Sequence, residues 1–320
     1  MSSEPFVLVV TKDDAPQFSM LTDVPHVVGK TLEEFADVAR NASVIFHWSG
    51  SRELLRSVYR MAPNVKWVHS RAAGLDTFLF PEMVESDVPL TNGSGVFSDS
   101  LGEFVLAAIL YFAKDFRQMI RNQEAGIWKQ FVVEEIAGQT LGIIGYGSVG
   151  GAAARRCKAL GMKIHAYDVR YDSTKKDDPI VEQFYDKGDL NGMLGACDYI
   201  LTCTPLTPET KHMISDSTFA AMKPTGVFMN IGRGPVVDQA ALVRALQGKK
   251  IKGAALDVFE KEPIPEGDPA YKLENLLLSP HTADRTKEWL NNAMRFFLKQ
   301  YGRYKNGERL ENVVNKKLGY

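Results

Sequence analysis

The segment LGIIGYGSVG, residues 141–150, constrains the fold of this chain more than any other stretch of its sequence. Its apolar start is typical of a buried strand, and three glycines follow in the pattern G-x-G-x-x-G: Gly145, Gly147 and Gly150. The small-residue stretch after them predicts a helix, and a second apolar run, KIHAY, ends at Asp168. Strand, tight turn, helix, strand and acid in this order predict a parallel α/β unit that binds a dinucleotide.

Each part of this segment has a physical role in dinucleotide binding. Gly145 permits the tight turn, Gly147 lets the backbone approach the pyrophosphate, and Gly150 lets the helix pack closely on the strand. The helix start offers unpaired N–H groups and the positive end of its dipole to the phosphates. Asp168 can hydrogen-bond both ribose hydroxyls and favours NAD, whereas Arg170 could pair with the 2'-phosphate of NADP. An ordinary strand-to-helix turn is the alternative interpretation of the glycines.

Three polar residues late in the chain each follow a short apolar run: Arg233 in NIGRGPVVD, Glu262 in LDVFEKEP and His281 in LLLSPHTAD. The runs are typical of buried parallel strands, and a doubly wound sheet would bring the three residues to one crevice at its carboxyl edge. A guanidinium, a carboxylate and an imidazole there would form an anion clamp beside a proton donor. Taken singly, a solvated loop arginine, a turn glutamate and a structural histidine are the alternatives.

Several motifs in order resemble the D-isomer-specific 2-hydroxyacid dehydrogenases, a family that includes D-lactate dehydrogenases, glyoxylate and hydroxypyruvate reductases and phosphoglycerate dehydrogenases. The resemblance runs through residues 70–76, 141–150, 204–214, 222–246, 254–265 and 279–283. It implies an α/β fold of two Rossmann-like or flavodoxin-like domains with doubly wound parallel sheets, joined by two interdomain helices. It also implies hydride transfer between NAD(P) and a small D-2-hydroxy acid or 2-oxo acid, with glyoxylate and hydroxypyruvate as the suggested substrates.

The resemblance also implies roles for the polar residues. Arg233 would hold the substrate carboxylate and keto oxygen, and His281 would be the proton donor and acceptor. Glu262 would hydrogen-bond His281 and keep it protonated during reduction. The backbone N–H groups of the loop at Ala73 and Gly74 would grip the carboxylate. Because the formate dehydrogenases of the family carry Gln in place of Glu262, formate oxidation is disfavoured.

Cofactor contacts are implied for two further loops. Thr204 and Pro205 match the loop that passes beneath the cofactor, and Asp257 matches the acid near the nicotinamide carboxamide. The remaining predicted cofactor contacts lie within or beside the same motifs: Tyr146, Ser148, Val149, Cys203, Thr210, Ile231 and Gly232.

The substrate pocket is less constrained by the sequence. The wall opposite the loop at Ala73 and Gly74 is expected to include His47, Trp48 and Ser49, which follow the apolar run SVIF. Trp48 could cap a small substrate or complete the core of its domain, since tryptophan is highly buried on average in either role. Arg71 could bind a second carboxylate or a phosphate of a longer substrate, or be an exposed loop residue.

Two domains are predicted for a chain of 320 residues. Residues 1–100 and 286–320 would form a discontinuous substrate-binding domain with strands at 6–10, 43–46, 65–69 and 88–91 and helices near 31–40 and 51–61. Residues 101–285 would form an NAD(P)-binding Rossmann domain of six strands. A helix from about residue 98 to 116 is predicted, with Ser100 and Glu103 as a capping box. The active-site cleft would lie between the domains, which permits hinge closure.

The composition excludes several functional classes. With 38 basic and 39 acidic residues the net charge is −1, and no basic block indicates nucleic-acid binding. No apolar stretch approaches the roughly 20 residues of a membrane span, and the start of the chain does not match a signal peptide. The three cysteines and six histidines have neither disulfide nor metal-ligand spacing, so no metal is predicted and a reducing, cytoplasmic location is expected.

Two further expectations concern partners. Members of the family are usually dimers built through the cofactor domain, so a homodimer is expected, and Trp128 and Phe131 could belong to the contacting arm; a core anchor is the alternative for Trp128. The alternative function is an NAD(H)-sensing, corepressor-like interaction protein of the same fold. Long disordered flanks would favour that alternative, and the sequence predicts none.

Overall fold

The computed structural model describes residues 4–168 and 178–320. The chain divides into two compact units, Met1–Phe97 with Thr286–Tyr320, and Ser98–Arg285. Each unit has its own sheet of parallel strands with helices packed on both faces. The predicted α/β class with doubly wound parallel sheets is therefore confirmed.

The described strands and helices have the following bounds. The strands are β1 (Val7–Val10), β2 (His26–Gly29), β3 (Val44–His47), β4 (Trp67–Ser70), β5 (Leu90–Thr91), β6 (Thr140–Ile144), β7 (Lys163–Tyr167), β8 (Gln183–Tyr185), β9 (Tyr199–Thr202), β10 (Val227–Asn230), β11 (Gly253–Leu256) and β12 (Leu276–Leu278). The α-helices are α1 (Arg52–Met61), α2 (Pro81–Glu85), α3 (Ser98–Ala113), α4 (Phe116–Glu124), α5 (Ser148–Ala159), α6 (Leu190–Ala196), α7 (Asp216–Ala221), α8 (Gln239–Gln247) and α9 (Trp289–Lys305).

The sheet of the first unit has five strands in the order β2-β1-β3-β4-β5. One face packs against α1 through Leu55 and Val58. The other face packs against α9, where the Phe297 ring stacks on Phe46 with centroids 3.9 Å apart. Four strands match the predicted runs, whereas β2 was not predicted. It lies at the sheet edge and is mostly half-buried, so its position does not require the continuous apolar run of a central strand.

The sheet of the second unit has seven strands in the order β12-β11-β10-β9-β6-β7-β8. Six strands were predicted, and the additional strand β8 is again a short, partly exposed edge strand. Successive residues of the central strands face opposite clusters. In β10, Phe228 packs with the cluster that includes α7 and α8, while Met229 packs with the cluster that includes α3 and α5. The sheet is thus covered on both faces.

Two predicted helices are wrong in extent. Residues 31–40 contain the short 3-10 turns Glu33–Phe35 and Ala39–Asn41 in place of a helix. The predicted helix from 98 to 116 ends at Ala113, because Asp115 adopts a left-handed backbone with φ of 48°. The Asp115 side chain then accepts a hydrogen bond from the backbone N–H of Gln118 and starts α4 as a separate helix.

The predicted capping box at Ser100 and Glu103 is also wrong. Helix α3 begins at Ser98, so Ser100 lies inside its first turn. The Ser100 hydroxyl donates a hydrogen bond to the backbone carbonyl of Ala283, 2.6 Å away, and therefore serves a tertiary contact within the second unit.

Candidate active site

The glycine segment forms a tight turn between β6 and α5. Gly145 has φ of +94°, a conformation that glycine adopts without strain, and its N–H donates to the carbonyl of Tyr167 at 2.8 Å. A Cβ on Gly150 would lie 2.7 Å from the Gly145 carbonyl oxygen, so only glycine allows this packing. Gly147 begins α5 without a side-chain cap, which leaves the N–H groups of the first turn, at Ser148 and Val149, available to an anion. This cradle fits the pyrophosphate of a dinucleotide.

The strand order places this turn at a switch point. From β6 the chain continues to β7 and β8 on one side of the sheet, and then from β9 to β12 on the other side. Doubly wound sheets bind ligands at the carboxyl edge where the order reverses in this way. Asp168 directly follows β7, next to β6, and is buried. The predicted cofactor residue Arg170 lies outside the described residues.

The loop after β9 packs directly on the glycine turn. A Cβ on Gly145 would lie 2.9 Å from Cγ2 of Thr204. The Cys203 thiol donates to the carbonyl of Gly145 at 3.0 Å, and burial raises the pKa of this thiol to about 12. Cys203 therefore holds the turn as a neutral hydrogen-bond donor.

The rest of the loop after β9 is fixed by its own hydrogen bonds. The Thr210 hydroxyl donates to the carbonyl of Pro205 at 2.7 Å and accepts from the N–H of Thr207 at 2.8 Å. A Cβ on Gly232 would lie 2.8 Å from the Thr204 carbonyl oxygen, so the loop after β10 lies against this loop. The Thr210 side chain thus stabilises its own loop, a role that the sequence did not predict.

Two other predicted cofactor residues direct their side chains into the protein. The ring of Tyr146 is buried, and its hydroxyl donates to the Asp178 carboxylate at 3.0 Å. Ile231 is buried, and its N–H donates to the carbonyl of Thr202 at 3.2 Å. These contacts hold the loops after β6 and β10. Because the side chain of Tyr146 is used in this way, only its backbone is left to contribute to the glycine turn.

His281 and Glu262 form a hydrogen-bonded pair at the carboxyl ends of β12 and β11. Nδ1 of His281 lies 2.7 Å from Oε2 of Glu262, and both side chains are partly exposed. The other carboxylate oxygen, Oε1, accepts from the N–H of Phe259 at 2.8 Å, which fixes the carboxylate plane. Because Nδ1 is occupied, Nε2 is the imidazole atom able to exchange a proton with a ligand.

Asp257 organises the turn that carries His281. It is only 2% exposed, and its Oδ1 accepts hydrogen bonds from the Ser279 hydroxyl at 2.5 Å and from the N–H groups of Thr282 at 2.9 Å and Ala283 at 3.1 Å. The Asp257 carbonyl accepts from the N–H of His281 at 2.9 Å. The sequence singled out Asp257 only through the resemblance, as a cofactor contact, and it gave no signal for Ser279.

Arg233 follows β10, the strand beside β11, so Arg233, Glu262 and His281 follow three adjacent parallel strands. The guanidinium Nη1 donates to the carbonyl of Gly232 at 2.9 Å. A Cβ on Gly234 would lie 1.8 Å from the Phe259 carbonyl oxygen, so the loop of Arg233 is pressed against the loop of Glu262. The arrangement brings a cation, a carboxylate and an imidazole to one edge of one sheet.

The predicted substrate residues of the first unit lie after β3 and β4. The Trp48 ring is 4% exposed and packs edge-on against Phe46 in the cluster that includes α9, as the core interpretation predicts. Its substrate role stays a prediction. The carbonyl of Ala73 accepts from the side-chain amide of Asn92 at 2.7 Å, which anchors the loop of Ala73 and Gly74.

The interpretation of Arg71 as an exposed loop residue is wrong. Its guanidinium carbon lies 4.9 Å from the ring centroids of both Trp48 and Trp289, and its Nε donates to the carbonyl of Trp48 at 2.7 Å. The cation is therefore held between two indole rings. The contact with Trp289 joins residues more than two hundred positions apart, so no local pattern could have revealed it.

No group of three or more His, Cys, Asp or Glu side chains could hold a metal ion within 4–168 and 178–320. In the same part of the chain, no helix is long and apolar enough to cross a membrane.

Comparison with known proteins gives consistent matches. The model of the family described as "D-isomer specific 2-hydroxyacid dehydrogenase, NAD binding domain" matches residues 106–283. A glyoxylate reductase of Korarchaeum cryptofilum is 35% identical over 267 residues, which cover 82% of this chain and 79% of the relative. The structure of a D-isomer specific 2-hydroxyacid dehydrogenase from Xanthobacter autotrophicus in complex with NADPH has a TM-score of 0.85 and 26% identity, over 99% of this chain and 100% of the other.

An NADPH-dependent glyoxylate/hydroxypyruvate reductase from Sinorhizobium meliloti, solved with NADP and sulfate, is also similar. Its TM-score is 0.81 at 25% identity, and the match covers 99% of this chain and 100% of the other. The likeness to both structures therefore extends over almost the whole length of each chain.

Proposed function

This chain belongs to the D-isomer-specific 2-hydroxyacid dehydrogenases, NAD(P)-dependent oxidoreductases of 2-hydroxy acids, and from this membership we propose that it reduces small 2-oxo acids such as glyoxylate and hydroxypyruvate. The observation that carries the proposal is the 2.7 Å pair of His281 and Glu262, set beside Arg233 at the carboxyl edge of the cofactor-binding sheet. Several relatives are named glyoxylate reductase, which supports the choice of substrate.

A nicotinamide cofactor held at the glycine turn of Gly145, Gly147 and Gly150 would supply the hydride for the keto carbon. His281 delivers a proton from Nε2 to the keto oxygen, so that negative charge does not build up there. Glu262 stabilises the protonated imidazole through Nδ1 and fixes the orientation of the ring. Arg233 binds the substrate carboxylate through its planar guanidinium, whose fork of N–H groups matches a carboxylate. In the oxidative direction His281 accepts the proton.

The two units have different roles in this proposal. Unit Ser98–Arg285 binds the cofactor through the glycine turn, and the other unit binds the substrate carboxylate through the N–H groups at Ala73 and Gly74. The uncapped start of α5 and the anchored carbonyl of Ala73 support this division. The predicted boundaries at residues 100 and 285 lie within three residues of the division between the compact units, which comes after Phe97 and after Arg285.

NAD is the proposed cofactor, with NADP as the alternative. Support for NAD comes from Asp168, a buried acid after β7, which would repel a 2'-phosphate. Support for NADP comes from Arg170 and from two similar structures that were solved with NADP or NADPH. The ratio of kcat/KM for NADH and NADPH decides between them. An Asp168→Ser variant should lower this ratio if the carboxylate excludes the phosphate.

The test of the function is the oxidation of NADH and NADPH with a panel of 2-oxo acids that includes glyoxylate, hydroxypyruvate and pyruvate. Turnover of at least one acid, lost in His281→Ala, supports the enzyme. If no acid is turned over with either cofactor while the cofactor still binds, the NAD(H)-sensing function is the better account.

A homodimer is the proposed assembly, and an exposed apolar arm supports it. Trp128 is 99% and Val132 is 94% exposed, and Ile127 and Phe131 beside them are also exposed, so the core interpretation of Trp128 is wrong. Exposed apolar patches of this kind mark interfaces. Light scattering should give a dimer mass for the wild type and a monomer mass for Trp128→Glu.

We also propose a cytoplasmic location, because the three cysteines are free thiols, which are typical of a reducing compartment.

A further inference from the structure

A small cavity of about 60 Å³ lies in the first unit at the carboxyl ends of β3 and β4. Its lining includes His47 and Ser70 at the ends of these strands, Gly74 in the proposed carboxylate loop, and Phe78. The first turn of α1 completes the wall. The cavity therefore borders the proposed carboxylate-binding backbone directly and belongs to one unit.

Strand register brings the two polar side chains of this cavity together. His47 and Ser70 are direct partners in the parallel pair of β3 and β4, so their side chains leave the same face of the sheet. It is the face that packs against α1, since Ile45 and Val68, two residues earlier on each strand, belong to that cluster. Trp48, the next residue after His47, lies in the cluster on the opposite face.

Both polar side chains present an unpaired atom. Nε2 of His47 and Oγ of Ser70 are buried and have no hydrogen-bond partner among the described residues. Most buried side-chain polar atoms in proteins are paired, so two unpaired atoms on one small cavity indicate a ligand group or water that completes them.

The chemistry of the two atoms limits that ligand group. Burial lowers the pKa of His47 to about 4, so the imidazole is neutral near pH 7. In a neutral imidazole one nitrogen donates and the other accepts, and the Ser70 hydroxyl can do either. An alcohol, which both donates and accepts, can therefore satisfy the pair, whereas a methyl group satisfies neither atom.

We propose that this cavity is a specificity site that receives the hydroxyl on C3 of the substrate, with the hydroxyl hydrogen-bonded to Nε2 of His47 and to Oγ of Ser70. The proposal rests on the function proposed above, because it takes the substrate carboxylate to lie on the N–H groups at Ala73 and Gly74. The C3 group lies only two bonds from that carboxylate carbon, and the cavity opens beside the same loop. Among the small 2-oxo acids, the preferred substrates are thereby those with a hydroxyl on C3.

The test compares hydroxypyruvate with pyruvate, which differs only in the C3 hydroxyl. A site built to bind a hydroxyl discriminates strongly against the analogue that lacks it, because its buried polar groups are left unpaired. We expect kcat/KM for hydroxypyruvate to exceed that for pyruvate by at least about tenfold, the effect of one or two buried hydrogen bonds. Equal values for the two acids would overturn the proposal.

Two variants locate the discrimination in the cavity. Ser70→Ala removes the hydroxyl and His47→Phe removes the imidazole nitrogens while keeping a ring against Phe78. Each should lower kcat/KM for hydroxypyruvate about tenfold and leave that for pyruvate unchanged or higher, so the ratio of the two falls. The matched control is Ser43→Ala, which deletes another buried hydroxyl just before β3, at the opposite end of the sheet, and should leave the ratio unchanged.

The outcomes separate this proposal from the proposed function. If glyoxylate, pyruvate and hydroxypyruvate are all reduced but neither variant changes the ratio, the cavity holds only water and the inference is wrong, while the function stands. If no 2-oxo acid is reduced with either cofactor, the function itself fails and the specificity site fails with it. A His47→Phe variant that does not fold leaves Ser70→Ala to decide.

Discussion

His281 is positioned by contacts that begin with a buried carboxylate. Asp257 uses one oxygen to hold the turn at Ser279, Thr282 and Ala283, and its carbonyl holds the backbone of His281. Glu262 then fixes the ring through Nδ1. Orientation of a proton donor over a reacting atom is worth a large part of a catalytic rate, so in the proposed mechanism Asp257 is a positioning residue that does not touch the exchanged proton.

Removal of the proton donor should therefore lower kcat more than removal of its partner. We expect His281→Ala to lower kcat by about 10²- to 10⁴-fold, because general acid catalysis is lost. Glu262→Gln should lower kcat less, because an amide still accepts from Nδ1 but does not neutralise the imidazolium. Steady-state kinetics with the preferred 2-oxo acid measures both, and unchanged cofactor affinity is the control. A greater loss in Glu262→Gln than in His281→Ala would contradict these roles.

Two buried histidines make stability depend on pH. Burial lowers the pKa of His69 to about 3 and that of His47 to about 4, both below the ordinary value of 6.5. The unfolded chain therefore binds more protons than the folded chain below pH 6.5, and stability is lost as the pH falls from there towards those values. Each histidine should cost about 1.4 kcal/mol per pH unit in this window.

Urea unfolding between pH 5 and 7 measures this slope. In His69→Phe the slope should fall by up to about 1.4 kcal/mol per pH unit, because one neutral imidazole is gone, and His47→Phe should have a similar effect. An unchanged slope in both variants would show that these rings take up protons as readily in the folded protein as in the unfolded chain.

At the scale of elements, the contact between α3 and α5 depends on one glycine. Gly102 lies inside α3, where alanine is normally the more stable residue by about 1 kcal/mol. A Cβ at Gly102, however, would lie 3.0 Å from the backbone carbon of Ala152 in α5, so the two helices would have to move apart. The tertiary contact therefore reverses the local preference.

A matched pair of substitutions tests this reversal. Gly102→Ala should destabilise the protein by about 1–3 kcal/mol through overpacking. Gly302→Ala in α9, where no atom lies within 4 Å of the added Cβ, should stabilise it by about 0.5–1 kcal/mol. Chemical denaturation gives both values. Stabilisation by Gly102→Ala would mean that α3 and α5 separate at little cost.

Elements were predicted well where burial imposes a pattern. The central strands β1, β6, β9, β10 and β11 are buried throughout, and β3 is buried in its first three residues; their apolar runs were visible in the sequence. The edge strands β2 and β8 were missed because edge positions need fewer apolar residues. The break between α3 and α4 was missed because no turn pattern in the sequence marks Asp115, the residue with the left-handed backbone.

At the scale of the whole molecule, each unit has its own hydrophobic clusters. The described core residues of each cluster belong to a single unit. The four tryptophans are divided unequally: Trp48, Trp67 and Trp289 belong to the first unit, and only Trp128 belongs to the second. Tryptophan fluorescence can therefore report on one unit alone.

We expect the units to respond differently to cofactor during thermal unfolding. In a Trp128→Phe variant, fluorescence follows only the first unit, whereas far-UV circular dichroism follows both. Saturation with cofactor at about 100 times its Kd should stabilise the cofactor-binding unit by about 2.7 kcal/mol and shift the circular dichroism transition more than the fluorescence transition. Equal shifts of both signals would show that the units unfold as one cooperative structure.

The fold class and the identity of the chemical groups can be predicted from the amino-acid sequence alone. Glycine spacing after an apolar run predicts a turn that binds a dinucleotide. Burial on both faces of a parallel sheet explains the apolar runs that precede Arg233, Glu262 and His281. Each of these patterns involves residues that are close together in the chain, so it is visible in the sequence.

Which side chains come into contact depends on how the chain folds. The enclosure of Arg71 by Trp48 and Trp289, the turn that Asp257 holds, and the pairing of His47 with Ser70 each join residues from separate segments. Their contacts depend on strand register and loop packing, which the chain fixes only through the free energy of the whole core. A single sequence shows which side chains are available for such contacts, but it does not show which of them contact one another in the folded protein.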